Sequence, residues 1–560
     1  MEISDLTAVE RRVWDAFPSG VAVDLRNGED EDEHGAVPEG DRWGPERTVR
    51  GEVLRALVIS GASAEGAIAG LRLVGARIVG RLDLTCGTVD GPVRLLGCHF
   101  DEPPELSGAR TRTLDFTGSR LPGLRADEAR VDGALRLSRC HIAGQVTLSG
   151  ARIGNSLFLD RTRVRGPIRL DGIRIEDALA VEGAQLTVGE GEVSLRAVNA
   201  SVGGGVVGKD LTARGTVLLT GLRVGGTLNL EGSHLVHPGG EALAAAVMTV
   251  DLDVLCNGLR AQGEVRLTRS RIGGRLNLTG ARIANPGHAA VQLSGVAVGA
   301  EVAAADLHTQ GQVKARGAKI TGALVLTDAR LSHPGGAALL ASNCTAAQLW
   351  LDGTKMTEGH LSLRGSTFTT VHAHPETFPA QVWLDGLTYQ ALSPRLPPRQ
   401  RLAPLQRDGD GYVPHSYEQL ATAYQRVGDE TAARTVRLAK QRHHRSTQPG
   451  YARLWGYLQD ATVGYGFRPV RAAGWLLTLL LLGALAFGLH HPVPTRPGEG
   501  PTFQPLVYAL DLLLPVVDFG QEKAFQPQGW YQWLAYLLIA LGWVLATTVI
   551  TGITRAVSRQ

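Results

Sequence analysis

The chain has 560 residues, with 57 basic and 54 acidic side chains and a formal net charge of +3, too small over this length to point to a nucleic-acid partner. Its 44% hydrophobic and 20% charged residues exclude a disordered composition, and its 70 glycines follow no Gly-X-Y period, which excludes collagen. Five cysteines (Cys86, Cys98, Cys140, Cys256, Cys344) stand at no C-x-x-C spacing, so neither a zinc knuckle nor a disulfide framework is expected, and reduced thiols in a cytosolic setting are the simplest reading.

The first residues, MEISDLTAVERRVW, are charged and carry no apolar signal-peptide core. Segments 5–17 and 44–59 read as helices holding Trp14 and Trp43. Residues 1–60 are expected to form a helical cap, since an open solenoid end exposes sheet edge. The acidic run Glu29–Glu33 reads as a solvated loop.

From residue 61 to 390 the glycine excess resolves into a repeat. Leu135, Val146, Leu157, Ile168 and Leu179 are 11 apart, as are Ile142, Ile153, Val164, Ile175 and Leu186. Gly133, Gly144 and Gly166 occupy what reads as the turn slot. An 11-residue period also fits three helical turns. Recurrent Gly, frequent Val, Ile and Thr, and the two-residue spacing of each apolar pair favour short strands instead. The expected fold is mainly β: a solenoid of 11-residue units.

The inner positions step by 5 and then 6 (Leu137, Ile142, Leu148, Ile153, Leu159), with small residues such as Ala76, Ala151, Ala184, Ala281, Ala318 and Ala329 two places before the second apolar site. This pattern resembles a degenerate pentapeptide repeat, A-(D/N)-L-x-x, a family of four-faced β-solenoids. The extra residue per pair departs from it, and a bactofilin-like triangular β-helix is the other resemblance. Arg77, Arg152, Arg282 and Arg330 follow the small residue and read as a solvated ladder that opposes sideways aggregation, with anion steering as the alternative.

A 48-residue period is superimposed: His237-Pro238-Gly239, Asn285-Pro286-Gly287 and His333-Pro334-Gly335. Since 48 is 4×11+4, a four-residue loop recurs once per four units and is expected to stack on one edge of the rod. No metal is expected there, because converging ligands are lacking.

Segment 391–413 is rich in Pro and Arg and reads as a linker. Residues 414–446 read as a helical hairpin, with a capping box at Ser416 and Gln419, a stripe of Tyr417, Leu420, Ala421 and Tyr424, and a turn at Gly428-Asp429. A basic segment, 447–471, precedes two uncharged apolar runs, 472–489 and 533–553, which are predicted as transmembrane helices. The basic flanks put both termini, including the tail 554–560, in the cytoplasm, for a two-span protein of the cell membrane. Within the outer loop 490–532, segment 505–520 is apolar but short and is expected to be re-entrant or interfacial.

Pro515, Val516, Val517, Asp518, Phe519 and Gly520 lie where a pore loop would lie, with Asp518 as its ionisable residue. The string Thr462–Gly466 spells TVGYG, but it precedes the first span and is read as a coincidence. The order of parts resembles bacterial proteins joining pentapeptide repeats, a Y-x-x-L…G-D-x-x-x-A hairpin and a two-span ion-channel domain. The matching residues are Tyr417, Leu420, Gly428, Asp429, Ala433, Tyr465, Gly466, Pro469 and Arg471. The whole chain also resembles actinobacterial proteins often labelled "membrane-associated oxidoreductase", although it has no G-x-G-x-x-G between strand and helix, no redox Cys pair and no haem motif.

The functional expectation is a membrane-held cytoplasmic scaffold or docking rod with no cofactor and no catalytic residues. Its expected partners are the lipid bilayer, a cytoplasmic protein and further copies of itself. The alternative is an oligomeric channel, a tetramer, since two spans cannot enclose a pore alone. An oxidoreductase is the weaker alternative, resting on the label alone.

Overall fold

The structure, a computed structural model, describes residues 5–26, 43–61, 64–446, 469–495, 501–514 and 517–557. The chain divides into two compact units, one of residues 1–396 with 403–410, the other of residues 397–402 with 411–560.

The first unit is a parallel β-solenoid of about fifteen coils. One coil comprises four short strands, Arg130–Val131, Leu135–Arg136, His141–Ile142 and Val146–Thr147. Each pairs in parallel with the strand 22 residues on, as in Val131↔Ile153, Leu135↔Leu157, Ile142↔Val164 and Val146↔Ile168. The 11-residue unit is therefore half a coil, and four strands per coil fit the four-faced resemblance rather than the triangular one.

The 5-and-6 step points inward as expected: Leu137, Ile142, Leu148, Ile153 and Leu159 are at most 1% exposed. Two further sites per unit complete the core, the first apolar residue (Leu135, Val146) and the small-residue slot (Cys98, Ser119, Cys140, Ala151). Parallel strands buried on their inner side stack identical side chains coil on coil, which gives a dry apolar column.

The glycine assignment needs correction. Gly144 lies away from the left-handed turn; a Cβ there would stand 2.5 Å from the Pro122 carbonyl oxygen of the previous coil, so close approach demands glycine. The left-handed residue of the turn is the one before the small slot, such as Gly150 at φ +70°.

Helix α1 (Ala8–Ala16) and helix α2 (Gly51–Ser60) flank the first coil. Segment Pro45–Arg47 is a single 3-10 turn, and Thr48–Arg50 is a strand paired in parallel with Arg77–Val79. The cap thus contributes the first rung of the ladder and covers the sheet end. A capping box fixes α1: the Thr7 N–H donates to Glu10 Oε2 at 2.9 Å and the Glu10 N–H donates to Thr7 Oγ1 at 3.2 Å. Glu10, 1% exposed, also accepts from Arg50 Nε at 2.8 Å.

Pro398–Leu405 (α3) is a short helix. In the second unit, α4 (Pro414–Arg426) and α5 (Glu430–Ser446) form an antiparallel hairpin burying Tyr417, Leu420, Ala421, Ala433 and Val436. Helix α4 begins before Ser416 and has Val413 as its N-cap with no side-chain bond, so the expected capping box is not its start. Asp429 instead caps α5, accepting the Ala432 N–H at 2.8 Å. The basic segment 447–468 and its TVGYG string lie outside the described residues.

The C-terminal part holds α6 (Pro469–Leu489), α7 (Pro505–Leu513), α8 (Gln521–Ala524) and α9 (Trp530–Val557). Here the expected fold class is corrected: among the described residues no helix is long and apolar enough to cross a membrane. Residues 505–513 of the segment expected to be re-entrant or interfacial form helix α7. It packs against α6 and α9, with Phe487 and Tyr508 ring centroids 5.0 Å apart and Leu512, Leu513 and Leu538 buried. A Cβ on Gly542 of α9 would meet the Leu513 carbonyl oxygen at 2.3 Å, so small residues permit this close crossing.

Candidate functional site

Three surface features result from this framework: a stacked loop edge, columns of cations, and an apolar helical face.

The loop edge follows from coil length. Strands His234–Ala244, Arg282–Gln292 and Arg330–Leu340 carry the four-residue insertions and alternate with Arg260–Arg266, His308–Lys314 and Lys355–Ser362, which do not. Registers hold on both sides of each insertion: His234↔Arg260 and Leu243↔Val265 bracket the first. The extra residues therefore bulge outward at one edge. Gly263, Gly311 and Gly359 sit beneath the bulges with φ of +123°, +129° and +99°; a Cβ on Gly263 would meet the His237 carbonyl oxygen at 2.4 Å. Sequence reading missed these three glycines, although they too recur every 48 residues.

Within the loops, His237 Nδ1 is 2.7 Å from Thr216 Oγ1. Asn285, 3% exposed, donates from Nδ2 to the Ala289 carbonyl at 2.7 Å and so closes its own loop. Burial, then Lys314 and His288, push the His333 imidazole below its ordinary pKa. Pro238, Gly239, Pro286, Gly287, Pro334 and Gly335 form the loop tips. His237 and His333 are four coils apart, about 19 Å at a strand spacing of ~4.8 Å, so they cannot ligate one ion.

The cation columns follow from the parallel register. On one sheet the outward rungs run Arg110↔Arg130↔Arg152↔Arg174↔Ser201↔Arg223↔Thr249↔Arg271↔Ala297↔Lys319. On the other, arginines are interspersed with histidines, Arg77↔His99↔Arg120↔His141↔Arg163 and, further on, His234↔Arg260↔Arg282↔His308↔Arg330, with His99 buried at 6% exposure. The predicted single ladder is thus split: Arg152 belongs to the first sheet and Arg77, Arg282 and Arg330 to the second.

At the C-terminal loop, Pro515 and Val516 lie outside the described residues. Val517 and Phe519 are exposed, and Gly520 takes a left-handed turn. Asp518 is exposed and ion-paired to Lys523; that bond first, then the Gly520 N–H at 2.8 Å, holds its carboxyl below the ordinary value. The buried carboxylate is Asp511, 4% exposed, which accepts the N–H groups of Phe519 and Glu522, each at 2.8 Å, and so shapes this loop. A two-span channel requires membrane-crossing helices, and among the described residues no helix is long and apolar enough to cross a membrane.

The outer faces of α6 and α9 expose Trp475, Leu481, Leu485, Trp533, Leu537 and Trp543, each by 47–69%.

Among the described residues no three His, Cys, Asp or Glu side chains converge on a possible metal position. Cys98, Cys140, Cys256 and Cys344 are buried, and burial pushes their thiols up to about 12. No protein family, curated protein or solved structure matches the chain.

Proposed function

We propose that the protein is a docking rod held on a lipid surface. The solenoid presents its stacked loop edge to a protein partner, and the C-terminal helices attach the chain to lipid. The observation that carries this reading is the exposed apolar face of α6 and α9. A contiguous patch of large apolar side chains marks a partner or a lipid contact. Trp475, Trp530, Trp533 and Trp543 all lie exposed there, and indole is the side chain best suited to the boundary between headgroups and acyl chains. This composition favours lipid over a second copy of the chain.

Flotation of the full chain with neutral phosphatidylcholine vesicles at high salt tests the attachment. The chain is expected to float, and Leu481→Gln/Leu485→Gln/Leu537→Gln to stay behind. A vesicle-free chain that sediments as a discrete dimer, with the same substitutions making it monomeric, would assign the face to a second copy.

A further inference from the structure

We infer that the first cationic column, from Arg110 to Lys319, is a binding track for a linear polyanion that lies along the rod axis. The proposal goes beyond docking at the loop edge and does not depend on lipid attachment.

The column holds seven cations in ten rungs: Arg110, Arg130, Arg152 and Arg174 on consecutive coils, then Arg223, Arg271 and Lys319 on alternate coils. All seven are exposed. At ~4.8 Å per coil the track is about 43 Å long. Neighbouring cations on consecutive rungs stand well inside the screening length of about 8 Å at physiological salt. Like charges directly opposite each other across a sheet are destabilising.

The fold has a means of relieving such repulsion and uses it elsewhere. Arg125 pairs with Glu105, Arg196 with Asp171 and Arg275 with Asp253, each across about one coil, at 3.6, 2.8 and 3.5 Å. No such pair forms in the track among the described residues, although Asp132, Glu176 and Asp251 stand two residues from its rungs. The track thus keeps four consecutive arginines uncompensated where Arg125, Arg196 and Arg275 are compensated, whereas in the other sheet the arginines are interspersed with histidines.

Shape selects the ligand class. The rungs are one side chain wide, so they match a single file of anionic groups rather than a plane of headgroups. The second cationic column belongs to the other sheet, so one flat surface does not meet both. No rung from Arg110 to Lys319 is aromatic, and single-stranded nucleic acid is ordinarily held by base stacking. Toward its end the track enters a shallow groove of about 680 Å³, lined by the cations Arg271 and Lys319, by one carboxylate, Asp251, and by the small residues Gly273, Ala297 and Gly299. A Cβ at Gly273 or Gly299 would lie 2.1 or 2.0 Å from a carbonyl oxygen of the preceding coil, so these positions stay bare and the groove stays open. The ligand class is a linear, base-free polyanion, for which long-chain inorganic polyphosphate is the probe.

The test is binding of polyphosphate to the full chain, in mild non-ionic detergent without lipid, by calorimetry at two salt concentrations. Arg130→Gln/Arg152→Gln/Arg174→Gln is expected to raise Kd at least tenfold and to lower the salt dependence by about two to three ions. Its melting temperature should hold or rise, because the substitution removes like-charge contacts. Arg125→Gln/Arg196→Gln/Arg275→Gln, which removes the same charge from paired sites, should change Kd by less than about threefold. Should the triple track variant melt early, Arg152→Glu alone should still raise Kd by about threefold or more. Equal weakening by both triple variants would reduce the effect to net charge and overturn the track. Tighter binding of oligo-dT than of polyphosphate of equal charge would overturn the ligand class.

Discussion

The hydroxyl of Ser270 stands inside the solenoid and donates to the Ala245 carbonyl at 2.7 Å, one coil back. The same oxygen accepts the Met248 N–H at 3.0 Å, so one buried hydroxyl joins two backbone groups of the coil beneath. Ser119 does the same with Leu95 O and Cys98 N–H, and Ser366 with Ala341 O and Cys344 N–H. Ser270→Ala leaves both groups unpaired in an apolar column and should cost about 1–3 kcal/mol. Chemical denaturation of wild type and variant reads this directly. An unchanged midpoint would mean that the backbone pairs are not needed.

Glu10 gives the amino-terminal cap an acid sensitivity. Burial works to raise its pKa, but the hydrogen bond from Arg50 and the Thr7 and Arg50 N–H groups outweigh it and hold the carboxyl at about 2, against 4.5. A depressed carboxylate contributes stability that is complete above its unfolded value and lost as pH falls toward its folded value, so the window runs from about 4.5 down to about 2. The full shift corresponds to about 3 kcal/mol, and with Arg50 36% exposed a measured effect of ~2 kcal/mol is expected. Glu10→Gln should lose this at pH 7 and flatten the pH dependence of hydrogen exchange in α1.

Val247 occupies the left-handed turn position at φ +56° and is 53% exposed. A β-branched residue is poorly suited to that backbone, and its side chain gains little from burial there. Val247→Gly should therefore raise stability by about 1 kcal/mol, read as a higher melting temperature. Val146→Gly, at a buried site of ordinary backbone, should destabilise instead.

Among the five thiols, Cys86 is exposed and the other four are buried. A maleimide reagent should label one cysteine in the native protein and all five after unfolding. Cys86→Ser should abolish the native reaction. Rapid native labelling of Cys256 would indicate that the coils around it open.

The inward column was legible because it depends only on spacing: Leu137, Ile142, Leu148, Ile153 and Leu159 are alike and evenly placed. The outward columns were not, for a geometric reason. Side chains 11 apart, such as Arg152 and Arg163, fall on different sheets, whereas those 22 apart stack. Grouping arginines by motif therefore mixed two surfaces. Gly144 and Gly150 look equivalent in sequence, yet one is required by a neighbouring carbonyl and the other by its own backbone angle. The burial of Asp511 is not legible in the sequence, because an isolated carboxylate on an apolar helix gives no hint of the N–H groups that fold back onto it. The C-terminal runs were read from hydropathy alone, which does not report where a helix packs against its neighbours.

The alternation of inserted and plain coils between Leu235 and Leu339 gives the rod a unit of growth. Leu235 and Ile283 are both buried, 48 residues apart, at equivalent places in successive long strands, and so are Leu243 and Val291. A duplication or excision of 48 residues would join equivalent backbone positions and keep the bulges on one edge, while changing the length by two coils, about 10 Å. A 22-residue change would set two plain coils or two bulged coils side by side, and a bulge would then lose the glycine beneath it. Relatives that vary in length within this region should accordingly differ by even numbers of coils, as beads added to a string in pairs.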